Sequence, residues 1–137
     1  MSLVRMVALG FGIVFVLAGI AGFIPGITHQ MDSVQGMEVA DGAVLGLVPV
    51  NLVANLVHLA IGVILIIASR AHDMALNAVR FFGVAYALLA VIGLFAPEGF
   101  GLLPLGGVEL VIHILTAVVL LFVGFVNPGQ EDAPAAA

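Results

Sequence analysis

The sequence is poor in charge and contains neither lysine nor cysteine. Only 8% of its 137 residues are charged and 64% are hydrophobic, and the three basic residues are all arginine. A soluble domain carries roughly a quarter charged residues, because water has to wet its surface. The composition therefore excludes a soluble domain and predicts an integral membrane protein.

The same shortages exclude several classes of function. Without clustered Lys and Arg, nothing holds the phosphates of a nucleic acid. Without cysteine there is neither a disulfide framework nor a thiolate site. The sequence also has no Ser-His-Asp set, no glycine-rich phosphate loop and no paired carboxylates within its apolar runs. We therefore predict a protein that is not an enzyme, with no catalytic residues and no dedicated metal site.

Four apolar segments approach the length of about 20 residues that a helix needs to cross a bilayer. They are predicted at about residues 6–24, 47–69, 74–96 and 108–126. Pro49 is expected in the first turn of the second segment, where a missing N–H matters little, and Asp73 is expected to cap the third. Residues 1–126 are thus predicted to form one all-α domain, a membrane four-helix bundle, and residues 127–137 a polar tail.

All three arginines fall at the same end of these segments. Arg5 precedes the first, Arg70 follows the second, and Arg80 lies near the start of the third. The connections 25–46 and 97–107, at the other end, carry acidic side chains and no basic ones. The positive-inside rule then predicts that both termini are cytoplasmic.

The chain also aligns with itself as two similar halves. The stretch "GIVFVLAGIAGFIP", which starts at Gly12, lies over "GVAYALLAVIGLFAP", which starts at Gly83. Likewise "ANLVHLAIG" lies over "ELVIHILTA", which pairs His58 with His113. The alignment predicts two tandem transmembrane hairpins in a parallel repeat, related by a pseudo-twofold axis along the membrane normal.

Polar side chains line one face of the second segment and of the fourth, at helical spacings of three and four. They are Asn51, Asn55 and His58 in the second, and Glu109, His113 and Thr116 in the fourth. Polar groups within hydrocarbon are expensive and by default indicate a functional site. In the simplest interpretation they only hydrogen-bond across the bundle and fix its register.

Two other interpretations stay open. His58 and His113 could be axial ligands of a haem or another tetrapyrrole such as chlorophyll, or contribute to a metal site, with Asn55 and Glu109 orienting the imidazoles. Alternatively, the histidines and Glu109 could begin a proton pathway, although no ionisable group continues it beyond Arg80.

Three features resemble a widespread group of small bacterial four-helix membrane proteins that is known only as a domain of unknown function. They are "GFIPGIT" after the first segment, "NLVHLAIG" in the second, and a Leu/Ile-rich fourth segment with one His near its start. In that group the second repeat resembles Asp-Asn-x-x-His-Leu, whereas here Glu109 and Leu110 replace the acid and the Asn. The resemblance covers about residues 4–125 and implies a fold and a location, but no activity.

Together these features predict a non-enzymatic, multi-pass protein of a bacterial inner membrane. Its polar segments are too small for catalysis, so we expect an accessory or structural subunit of a larger membrane complex. Its expected partners are membrane lipid and either other membrane subunits or further copies of itself. The alternative function is the binding of a tetrapyrrole or metal through His58 and His113.

Overall fold

The structure, a computed structural model, describes residues 1–131 and is mostly helical. Residues 132–137 of the expected tail lie outside the described residues. The helices are α1 (Leu3–Ala21), α2 (Leu52–Ala68), α3 (His72–Phe95) and α4 (Val108–Leu121), and α4 continues as a π-helical segment (Phe122–Val126). Three short strands, β1 (Thr28–Gln30), β2 (Gly42–Val44) and β3 (Val48–Val50), lie between α1 and α2, and a 3₁₀ turn (Gly99–Gly101) lies between α3 and α4.

The helices pack closely in two pairs, α1 with α2 and α3 with α4. Glycines allow this approach: a Cβ on Gly12 would lie 2.9 Å from the backbone oxygen of Gly62, and one on Gly83 would lie 3.1 Å from the backbone nitrogen of Leu121. Helices in lipid associate through such packing, because lipid tails are as apolar as the side chains. The shared core between the pairs contains Val4, Ala8, Phe15, Leu65, Ala75, Val79, Phe82, Tyr86, Ala117, Leu120 and Val123.

Both ends of the described chain meet the α2–α3 turn at one end of the bundle. The backbone N–H of Val4 donates to the carbonyl of Pro128. Nδ1 of His72, the first residue of α3, lies 3.0 Å from the hydroxyl oxygen of Ser2, which precedes α1. These bonds tie the start of α1 to the start of α3 and to the residues after α4.

Two of the arginines at this end hold the last carbonyls of neighbouring helices. Arg5 Nε donates to the carbonyl of Ser69 at the end of α2, and Arg80 Nε donates to the carbonyl of Gly124 in the π-helical segment, each at 2.7 Å. A cation is favourable there because the C-terminal end of a helix carries partial negative charge.

At the opposite end the 25–50 segment forms a small antiparallel sheet with strand order β1-β2-β3. Leu45 and Gly46, which join β2 to β3, both have positive φ, as in the tightest hairpin turns. Val34, Met37, Ala40 and Ala43 form a separate small core under it. The expectation of a purely all-α fold is corrected by this sheet, whose three-residue strands are too short to show a periodicity in the sequence.

The second and third helices do not begin where the sequence indicated. Helix α2 starts at Leu52 instead of about residue 47, because Pro49 pairs with Ala43 in the sheet and Asn51 caps the helix. Helix α3 starts at His72 with Ala71 as its N-cap, so that Asp73 lies inside the first turn. An acidic side chain is favourable in that turn even when it is not the cap.

Three segments are long and apolar enough to cross a membrane: Leu3–Ala21, His72–Phe95 and Val108–Val126. Helix α2 is apolar but has only 17 residues. Large apolar side chains such as Leu17, Leu88 and Val118 point outward along these helices. The exterior of the bundle therefore has the character of a membrane protein.

Candidate functional site

The polar side chains of α2 and α4 point into the bundle, as the sequence predicted. Asn51, Asn55, Glu109, His113 and Thr116 are buried and His58 is half-buried. Glu109 and His113 are only 3% and 5% exposed, so they are more deeply buried than His58. The structure thus brings the candidate residues to one region, where each has a different set of contacts.

Asn51 connects three segments at the top of α2. Its side-chain oxygen accepts a hydrogen bond from the backbone N–H of Ala54, which caps the helix. Its side-chain N–H₂ donates to the carbonyls of Val39 and Leu102, at 3.1 and 3.0 Å. Asn51 therefore anchors both loops to α2, and among residues 1–131 its side chain bonds to no other helix.

Asn55 lies directly against the end of α1. A Cβ on Gly22 would overlap the Asn55 amide, so the side chain fits only because residue 22 is glycine. The side-chain oxygen of Asn55 is buried without a hydrogen-bond partner among the described residues. An unpaired buried oxygen of this kind costs free energy, so Asn55 does not stabilise the bundle through this atom.

Glu109 and His113 form an ion pair or charge-assisted hydrogen bond one helical turn apart. His113 Nε2 lies 3.0 Å from a carboxylate oxygen of Glu109. A donated Nε2–H fixes the ring orientation and leaves Nδ1 of the neutral imidazole as an acceptor. Within residues 1–131, Nδ1 of His113 is buried without a hydrogen-bond partner, and so is Nδ1 of His58.

Two aromatic rings that were not among the predicted site residues, Phe15 and Tyr86, join the histidines. Phe15 of α1 stacks with His58 at 5.7 Å between ring centroids and with Tyr86 of α3 at 5.6 Å. Tyr86 contacts His113 edge to face at 5.2 Å. The self-alignment contained a signal for these two rings, because Phe15 and Tyr86 occupy equivalent positions in the two halves. The four rings form a continuous cluster with one ring from each helix.

A small cavity lies beside this cluster, with a volume of about 20 Å³. Its walls come from the helices and from the loop before α4, and include His58, Tyr86, Glu109, His113 and Leu103–Leu105. A single water molecule needs at least about 10–15 Å³ measured this way. The cavity therefore has room for no more than about one water molecule.

The space is far smaller than a tetrapyrrole ring. A macrocycle would have to separate Phe15 from His58 or Tyr86, with which it stacks. Within residues 1–131, no group of three or more His, Asp or Glu side chains is placed to hold a metal ion. The arrangement is suited to packing the four helices together through the ring cluster.

The loop before α4 forms one wall of this cavity, and side-chain hydrogen bonds tie the 25–50 segment to the ends of α3 and α4. The side-chain oxygen of Gln35 accepts the backbone N–H of Val108 at the start of α4, and its N–H₂ donates to the carbonyl of Leu47. A carboxylate oxygen of Glu98 accepts the N–H of Val39. The sheet thus acts as a cap on the α4 end of the bundle.

A family model, that of a domain of unknown function, DUF4383, matches residues 5–126 of the sequence. The chain belongs to this family. The matched region begins within α1 and extends to the end of the π-helical segment, so it includes the sheet, α2, α3 and α4. Comparison with curated proteins and with solved structures gives no match.

Proposed function

We propose that this DUF4383 protein is a non-enzymatic, four-span membrane protein that serves as an accessory subunit beside other membrane proteins. The observation that carries the proposal is the inward direction of its polar side chains combined with an apolar exterior. Chemistry on a substrate needs polar groups that a substrate can reach, and the candidate groups here surround a space of about one water.

Helix α2 is the fourth span in this proposal, although it is short. Seventeen residues extend about 25 Å, at the lower end of what spans a bilayer. Gly12 and Gly62 are in close contact near the middle of α1 and α2. Gly22, which follows α1, contacts Asn55 in the first turn of α2. Because α2 runs beside α1 over this length, a membrane that contains α1 also contains α2.

The tandem-hairpin repeat is part of the proposal and is supported by matching contacts. Gly12 approaches Ile66, and Gly83 approaches Leu121. Under the sequence alignment Gly12 corresponds to Gly83, and Ile66 to Leu121. The Phe15–His58 contact corresponds in the same way to the Tyr86–His113 contact. The central Phe15–Tyr86 pair would then lie on the pseudo-twofold axis.

An apolar groove between α1 and α4 is the surface that we assign to a helix of another membrane protein. Its volume is about 380 Å³, and its lining includes Val7, Gly10, Val14 and Ile112. A Cβ on Gly10 would meet no atom within 4 Å, so this glycine serves no contact within the bundle. Small residues at membrane helix surfaces allow a second helix to approach closely.

The test is the composition of the complex that contains the protein in its native membrane. Mild detergent extraction, size separation and mass spectrometry should find the chain with other membrane subunits at fixed stoichiometry. Gly10→Phe, which fills the α1–α4 groove, should release it as a monomer, while Val91→Phe at an exposed position of α3 should not. A complex of this chain alone, or one that Gly10→Phe leaves intact, would contradict the proposal.

The tetrapyrrole alternative is tested on the same material by its visible absorption spectrum, oxidised and reduced. We expect no Soret-type band, since the cavity beside His58 and His113 has a volume of about 20 Å³. A band that disappears in His58→Gln would overturn this expectation and identify the protein as a cofactor carrier.

A further inference from the structure

A second apolar groove, on α3, differs from the first because an arginine lies at one end of it. The groove has a volume of about 440 Å³ and is lined by Arg80, Phe81, Val84, Ala85 and Leu88 of α3 and by Phe125. Ala85 is the smallest side chain of this set, whereas Phe81 and Leu88 are 67% and 59% exposed. Large exposed side chains thus form ridges beside a shallower stretch of the helix.

The arginine is held in place by the end of α4 and not by a carboxylate. Arg80 Nε donates to the carbonyl of Gly124, and the guanidinium carbon lies 5.1 Å from the centre of the Phe125 ring. Within residues 1–131 no acidic side chain pairs with Arg80. Only one of the five guanidinium N–H groups is used in the bond to Gly124, and the others are donors for an anion.

We propose that this groove binds one anionic phospholipid, with its phosphate on Arg80 and an acyl chain along α3. From Arg80 to Leu88 the helix rises about 12 Å. This compares with about 15 Å for the hydrocarbon of one leaflet. Charge is confined to one end of the groove and the remainder is apolar, which is the distribution of charge along a phospholipid. A basic pocket beside membrane helices is a known form of lipid headgroup site.

The position of Arg80 relative to the other arginines supports the assignment. Arg5 and Arg70 lie at the same end of the bundle, in α1 and in the turn after α2. Arg80 lies eight residues, about 12 Å, further along α3 than His72, and a long arginine side chain can extend back toward the end of the bundle that carries Arg5 and Arg70. The acyl chain then points along α3 toward the sheet end of the bundle. This inference rests on the membrane location proposed above.

The experiment measures which lipids stay with the full-length protein. The protein is reconstituted in bilayers of equal parts phosphatidylcholine and phosphatidylglycerol, and its incorporation is measured by flotation. It is then released in mild detergent, and the retained lipids are counted by native mass spectrometry. The variants are Arg80→Gln, Ala85→Phe and, as the matched control, Arg70→Gln, which removes the same charge at the same end.

We expect the unmodified protein to retain phosphatidylglycerol in preference to phosphatidylcholine. Arg80→Gln should lower this preference about fivefold, the usual effect of one basic residue near a lipid headgroup. Ala85→Phe should lower lipid occupancy while Arg80 remains in place, and it decides the matter if Arg80→Gln does not fold. Arg70→Gln should change neither quantity.

Equal retention of the two lipids by the unmodified protein would overturn the proposal. It would also be overturned if Arg70→Gln lowered the preference for phosphatidylglycerol as much as Arg80→Gln does. Displacement of phosphatidylglycerol by inorganic phosphate would assign Arg80 to a free anion instead. Capture of a protein helix in the groove in native membranes, with no lipid retained, would also overturn it. A protein that fails to float with the bilayers contradicts the membrane location itself and is thereby distinguished from failure of the lipid site.

Discussion

Phe15 and Tyr86 stack at the centre of the bundle, with ring centroids 5.6 Å apart and ring planes inclined by 24°. They come from α1 and α3, the first helices of the two pairs, and each also contacts the histidine of its own pair. The contact therefore joins the two halves of the protein through large apolar surfaces. The histidines extend the same cluster toward α2 and α4.

We predict that this stack stabilises the bundle through ring contacts and not through the tyrosine hydroxyl. Phe15→Ala and Tyr86→Ala should each lower the free energy of unfolding by about 3–5 kcal/mol, as is usual for buried rings. The double variant should show a coupling of about 0.5–1.5 kcal/mol. Tyr86→Phe is the matched control and should change stability by less than about 0.5 kcal/mol, since the hydroxyl has no hydrogen-bond partner within residues 1–131. Chemical unfolding in detergent micelles measures the free energy of unfolding of the four variants.

A larger loss of stability in Tyr86→Phe would indicate that the tyrosine hydroxyl makes a hydrogen bond. The hydroxyl belongs to a residue that lines the 20 Å³ cavity, so a bound water is its available partner. A loss of about 1 kcal/mol, close to that of one hydrogen bond, would place an ordered water in the cavity and contradict the purely apolar account of the stack.

The sequence predicted the parts of this structure that composition and periodicity determine. Long apolar runs predicted four helices, and helical spacing predicted that His58, Glu109 and His113 face inward. It did not predict the sheet, because strands as short as Thr28–Gln30 are determined by turn geometry and cross-strand pairing. It also missed Phe15, since an aromatic residue in an apolar run is indistinguishable from ordinary core until its neighbours are known.

Asn51, at the start of α2, is a second feature whose role the sequence did not predict. Asn51 reads in the sequence as the first member of a polar helix face, at the correct spacing from Asn55. In the structure it is the N-cap, and its amide holds Val39 and Leu102. A capping side chain and a buried interhelical side chain have the same sequence signature here, and only the position of the preceding strand separates them.

The close approach of α1 and α2 should depend on Gly62. A Cβ at this position would lie 2.7 Å from backbone atoms of α1, the carbonyl oxygen of Gly12 and the amide nitrogen of Val16, which cannot move aside as a side chain would. We expect Gly62→Ala to lower stability by about 1–3 kcal/mol through overpacking. Gly10→Ala is the control, because its Cβ would meet nothing within 4 Å. A loss of stability in Gly62→Ala no larger than that in Gly10→Ala would contradict the close approach of α1 and α2.

Asn51 should couple the loops to the bundle through its N–H₂ group. Asn51→Asp keeps the oxygen that caps α2 at Ala54 but removes the donors to Val39 and Leu102. Hydrogen exchange should therefore rise in the 34–44 and 99–105 loops by about fivefold, equivalent to about 1 kcal/mol, while the first turn of α2 stays protected. Asn77→Asp makes the same chemical change at an exposed position of α3 and should leave the loops unaffected. Faster exchange in α2 itself would indicate instead that the cap had been lost.

The orientation in the membrane should follow the arginines, which all lie at the end opposite the sheet. The absence of cysteine makes this measurable, because a single introduced thiol is the only one in the chain. Ser33→Cys lies in the exposed part of the loop beside the sheet, and Ala71→Cys in the exposed turn between α2 and α3. In intact cells a membrane-impermeant maleimide should label Ser33→Cys, whereas Ala71→Cys should react only after the membrane is opened, since basic residues favour the cytoplasmic side. The reverse pattern would invert the proposed topology, and labelling of both sites in intact cells would mean that these two connections do not lie on opposite sides of one membrane.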